Sequence, residues 1–215
     1  TYIKKKYFVK YFSNSFFSPI IGTYILIFFL YPLSMLNLLD YFFIKIISSI
    51  LFFLGFLFIF ELKKKFSKAL FAKFKTQFIL LIISFFLLFF IAAAPITHAD
   101  SLSYHLTTAS HILFNGGFNT EIIPFEDKLS GSGEIIIALG LSYGLQEFGS
   151  LIQFSSLFSL IPIFNINKLK SNNLNYVLIL IFTPITLFLI SSPKPQLMPA
   201  IASLIVFSFL FKDFL

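Results

Sequence analysis

The chain has 215 residues, 58% of them hydrophobic and only 12% charged, with a formal net charge of +7. A soluble domain carries about 25% charged residues, so this composition argues against a water-soluble fold and for an all-α, polytopic integral membrane protein. With no Cys, disulfides and thiol chemistry are excluded, and every one of the sixteen cations is a lysine.

The lysines decide what the positive charge means. The chain opens on TYIKKKYFVK, followed by an apolar run over about 19–39 and a second over about 42–60. Next comes ELKKKFSKALFAKFK, where Leu62, Phe66, Leu70 and Phe74 lie four apart and make an amphipathic strip suited to an anionic leaflet. Basic clusters beside apolar runs are the cytoplasmic flank pattern of membrane proteins, and nucleic-acid binding is set aside. Residues 1–75 therefore read as an N-terminal membrane hairpin with basic cytoplasmic flanks.

Residues 76–215 read as a second, membrane-core unit. Spans of about 17–25 apolar residues can cross a bilayer. Four more are expected at about 76–94, 148–166, 175–191 and 196–212, six in all. With the N-terminus cytoplasmic, thirteen of the sixteen lysines fall inside, and only Lys45, Lys128 and Lys194 lie outside or at the outer edge. The same threading leaves 95–147 as one long outer loop holding six of the nine acids. Within it GEIIIALGLSYGLQEF (133–148) is too short to span and is expected to lie on or dip into the outer interface. The chain starts at Thr1 rather than Met and ends in an apolar run, so it reads as part of a longer protein.

The outer loop gathers all three histidines, His98, His105 and His111, around Asp100. Pro95 ends the third span. Asp100 or Ser101 is positioned to cap a new helix that Gly116 and Gly117 would close. Leu102, Leu106, Ala109 and Leu113 make one stripe of that helix, and Tyr104, Thr108, His111 and Asn115 the opposite one.

These segments resemble the integral-membrane GT-C glycosyltransferases, which include the protein O-mannosyltransferases and the aminoarabinose transferases. THADSLSYHLTTASHIL resembles the acid-bearing start of their first outer loop. GEIIIALGLSYGLQEFGSLIQFSSLFSLIPIFNINKLK is similar to their second interfacial helix and the span after it. TPITLFLISSPKPQLMPA is similar to the hairpin that returns a polar cluster to the outer surface. Two departures stand out: two helices precede the acidic loop where the commonest members have one, and Gly131–Glu134 replaces their Pro-Pro-Leu.

The resemblance implies sugar transfer from a polyprenyl-phosphate donor to a glycan, lipid or protein acceptor at the outer face of a multi-pass, bacterial inner-membrane protein. Asp100 is then the expected catalytic base, with Glu134 the second candidate acid. Tyr104, His105, His111, Lys194 and Gln196 are expected to bind substrate, with Lys194 near the phosphate. No cofactor is required by the sequence. A divalent metal stays open through His98, in a His98-x-Asp100 spacing that matches no established metal box. Two other readings stay open: an O-antigen polymerase or ligase, and a transporter or flippase. The middles of all six expected spans lack charge, which disfavours the transporter.

Overall fold

The computed structural model describes residues 15–65, 75–118, 131–161 and 173–210. The N-terminal lysines, most of the basic segment after Lys65, Glu121–Lys128, Lys168, Lys170 and residues 211–215 lie outside the described residues. Those that are described form helices and turns, with no strand beyond one isolated bridge.

Two helices open the chain. Helix α1 (Ser18–Met35) follows a single 3-10 turn and carries Pro19 in its first turn, where the missing N–H costs nothing. Helix α2 (Tyr41–Lys65) follows a tight turn through Asn37, which adopts φ +53°. Among the described residues α1 alone is long and apolar enough to cross a membrane. The apolar stretches Tyr41–Leu57, Ile79–Ala92, Ser132–Leu141 and Leu197–Leu210 are shorter. Helix α3 (Lys75–Ala92) runs to the acid-bearing loop.

After α3 a five-residue π turn (Ser101–His105) leads into α4 (Leu106–Asn115), and Gly116 closes it at φ +78°. Leu39 N–H donates to Gly116 O and Phe118 N–H to Ser34 O, which ties the end of α4 to the α1–α2 turn. The expected stripe is only partly correct. Leu106, Ala109 and Leu113 are buried, but Leu102 is exposed and Thr108 is buried. The π turn displaces Leu102, because its wider loop advances the helix phase and takes that residue off the face of α4, whereas Thr108 lies on α4 itself, at the edge of a wide buried face with Ile112. Nor does Asp100 cap the helix, because its side chain makes no cap hydrogen bond.

Helix α5 (Ser132–Leu141) starts with a one-way cap in which Glu134 Oε2 accepts from Gly131 N–H at 2.9 Å. All eight residues from Gly133 to Gly140 are buried. A helix apolar on every side is a helix enclosed by its neighbours, and here α1, α2, α4 and α6 enclose it. The segment expected at the outer interface is thus covered by protein on all sides over Gly133–Gly140.

Helix α6 (Phe148–Ser156) continues into a 3-10 turn. The expected fifth span is two helices, α7 (Asn173–Ile181) and α8 (Pro184–Ile190), broken where Pro184 cannot continue the ladder. Helix α9 (Leu197–Leu210) ends the described chain.

The core has two parts. Leu88, Leu157, Leu160, Ile181 and Ile190 centre one, between α3, α6, α7 and α8. Leu39, Ala109, Ile112 and Ile135–Leu139 centre the other, between α2, α4 and α5. Outside them the helices keep bulky apolar residues on the surface, among them Phe28, Phe52, Phe86 and Ile185, each at least 60% exposed.

The loop Ser191–Gln196 joins the two parts by close packing. A Cβ on Gly133 would strike the Pro195 ring, and one on Gly149 would come within 2.7 Å of Pro193 Cβ. Gly149→Ala should therefore destabilise the protein by about 1–3 kcal/mol, the usual cost of overpacking. Gly22→Ala, which points into open space, should not lower the melting temperature. Thermal unfolding of both variants in one detergent checks the pair.

Candidate functional site

The π turn sorts neighbouring side chains to opposite sides of the chain. Such turns are rare and concentrate at functional sites. Asp100 stays exposed while Ser101 and His105 are buried beneath it. Each of the three then meets a residue far away in sequence.

Asp100 Oδ2 accepts from Lys194 Nζ at 2.8 Å. The pair is asymmetric: the lysine side chain is 14% exposed and the carboxylate 76%. Lys194 lies over the Phe188 ring at 5.7 Å, a cation–π contact that holds its stem. The lysine hydrogen bond, and then its charge, hold the Asp100 carboxyl below the ordinary carboxylate range, with smaller help from His105 and His98.

His98 packs edge-on against Phe188, and its Nε2 lies 3.0 Å from Ser191 Oγ. Ser191 has one hydroxyl proton, which goes to Phe188 O at 2.9 Å. His98 Nε2 must then be the donor. Ser101 Oγ and Ser192 Oγ meet at 3.0 Å, and Ser192 also accepts from Lys194 N–H. The serines thereby brace the backbone that carries the lysine.

One layer deeper, His105 Nδ1 and Glu134 Oε1 are 2.8 Å apart, with the two side chains 11% and 2% exposed. The Tyr104 ring packs on the His105 ring at 4.4 Å between centroids. Glu134 is thus committed twice, to His105 and to the cap of α5. It thereby ties the π turn to the first turn of α5.

The structure brings together His98, Asp100 and Lys194, with His105, Glu134 and Tyr104 directly below. It does not bring in His111, which lies six residues, or about 9 Å of helix rise, past His105. The His111 Nδ1 is buried with no hydrogen-bond partner. Gln196 is exposed, and its backbone N–H bonds Lys194 O at 2.8 Å. Among the described residues no group of three His, Asp or Glu is arranged to hold a metal, and His98 is engaged with Ser191. Missing from the sequence reading are Ser191 and Ser192, for which the doubled serine before Pro193 is the one available signal, while Ser101 is read there only as a helix cap.

Two outcomes follow. Glu134→Ala leaves His105 without its buried partner and should cost about 3–5 kcal/mol in thermal unfolding. The Asp100 carboxyl should titrate below the usual carboxylate range by carbon NMR, and Lys194→Met should move it up. Because the folded value is the depressed one, the pair's stabilisation is present above the unfolded pKa and is lost as pH falls through the folded value.

The profile of the DUF1420 N-terminal domain matches residues 52–212, about three quarters of the chain. No curated protein and no solved structure matches.

Proposed function

The chain belongs to the DUF1420 N-terminal domain family, and on that premise we propose that it is a polytopic membrane glycosyltransferase. It moves a sugar from a polyprenyl-phosphate donor to an acceptor hydroxyl at the outer face. The observation that carries this reading is the Asp100–Lys194 pair, an ionised carboxylate beside a half-buried cation, set on helices whose outer surfaces are apolar. The sequence resemblance to the GT-C enzymes supports the same chemistry at the same residues.

The pair suits an exchange of partners. An arriving donor phosphate competes for Lys194, and the carboxylate it displaces is freed to act. Asp100 then accepts the acceptor hydroxyl's proton as the oxygen attacks the anomeric carbon. The bond from that carbon to the phosphate oxygen breaks, and Lys194 stabilises the phosphate that leaves. His98, oriented by Ser191, turns its other ring nitrogen to the acceptor. His105 and Glu134 hold the π turn that presents Asp100.

The broken helix α7–α8, which a transporter would use to expose backbone to its cargo, satisfies its own polar groups. Thr183 Oγ1 caps Thr186 N–H, and Thr186 Oγ1 donates to Leu180 O. This favours the transferase over the transporter.

Asp100→Asn tests the assignment, because Asp100 is exposed and caps nothing. In full-length protein supplied with polyprenyl-phosphate sugars and native membrane acceptors, transfer should fall at least about a hundredfold, the scale of a lost general base. The melting temperature should stay nearly unchanged. Wild-type transfer in this variant would remove Asp100 from the reaction, and consumption of no polyprenyl-phosphate sugar by the wild type would sink the reading.

A further inference from the structure

A groove of about 700 Å³ runs between α1, α2, α5 and α6, away from the Asp100 site. Its walls lie on α1 and α2, the two helices joined by the turn through Asn37. On α2 they pass from Ser48 and Ser49 to Gly55, and on α1 from Leu26 to Pro19. Each wall is thus about 10 Å long. Gly22 and Gly55 open the floor, for a Cβ on either would meet nothing within 4 Å. Phe52, 78% exposed, forms part of the lip. The shape is a slot for a single apolar chain.

Its upper end is cationic. Lys45 stands one turn above Ser48 and Ser49. Its Nζ lies 5.3 Å from the Tyr41 ring and 5.7 Å from the Tyr143 ring, and Tyr143 lines the groove. Among the described residues the Lys45 ammonium hydrogen-bonds the Tyr41 hydroxyl alone, at 3.2 Å, and has no carboxylate partner. Nor does it serve the end of α5, where Tyr41 and Ser48 already donate to Ser142 O and Leu139 O. A cation with no carboxylate partner over an apolar slot is complementary to an anionic head with a chain below it.

We infer that this groove binds one acyl chain of an anionic membrane phospholipid, with its phosphate at Lys45. The inference rests on the membrane placement proposed above and does not depend on sugar transfer. The bound lipid is not the reacting one. Lys194 approaches the start of α5 through Pro195 and Gly133, while Lys45 and Tyr41 sit at its end. The helix from Gly133 to Ser142 separates them by about 14 Å, too far for one phosphate to touch both lysines.

The chain contains no Trp, so full-length Phe52→Trp, stripped of any further Trp, gives a single fluorescent reporter at the groove. In phosphatidylcholine vesicles, brominated phosphatidylglycerol should quench its emission with about fivefold higher apparent affinity than brominated phosphatidylcholine. Fivefold is the scale of one lysine at an anionic surface. Adding Lys45→Gln should abolish that preference, and adding Gly55→Leu should weaken quenching by both lipids because the side chain fills the slot. Equal quenching by the two lipids, or a preference that survives Lys45→Gln, would overturn the site. Displacement of brominated phosphatidylglycerol by polyprenyl phosphate would overturn the choice of occupant. Loss of sugar transfer with the preference intact would instead count against the proposed function alone.

Discussion

The fit of two prolines against two glycines holds the site together. Pro195 rests on Gly133 at the start of α5, and Pro193 rests on Gly149 at the start of α6. Neither contact leaves room for a side chain. The loop between α8 and α9 is thereby driven into the joint between the two core clusters, and Lys194, between those prolines, has one direction left to point. Ser192 and Ser191 complete the seating through Ser101 and His98. Asp100 finds its lysine because backbone packing delivers it, not because two surface charges attract; exposed pairs alone are worth at most about 1 kcal/mol.

The buried His105–Glu134 pair plays a matching part on the other side. It sits between α4 and α5, and Glu134 also closes the first turn of α5. A buried pair of this kind contributes less to net stability than its geometry suggests, because both groups give up water. Its use is in specifying position. Slippage of α4 against α5 would leave two polar groups unpaired in an apolar interior, so one register is strongly preferred.

Much of this is legible in the sequence, and the reasons differ by residue. The helices are legible because long Phe, Ile and Leu runs leave no alternative, and Gly116 is legible as a helix stop because αL favours glycine. Asp100, the histidines and Lys194 stand out as isolated ionisable groups beside hydrocarbon. The enclosure of α5 is not legible, since a short apolar run reads alike whether lipid or protein covers it. The π turn is hidden as well, because an i→i+5 bond has no sequence signature, and it misplaces Leu102. The pairing of Gly133 with Pro195 is hidden for another reason: a helix start and a loop 62 residues apart become neighbours only through the packing of the helices between them.

The prolines flanking Lys194 have an entropic consequence. A residue before proline is confined to extended conformations, and Pro193 is itself fixed in φ. An ordinary surface lysine must surrender much of its freedom each time it holds an anion. The Lys194 backbone has surrendered it at folding, and the Phe188 ring restrains the stem. An arriving anion meets a cation already in place, so little ordering remains to oppose binding.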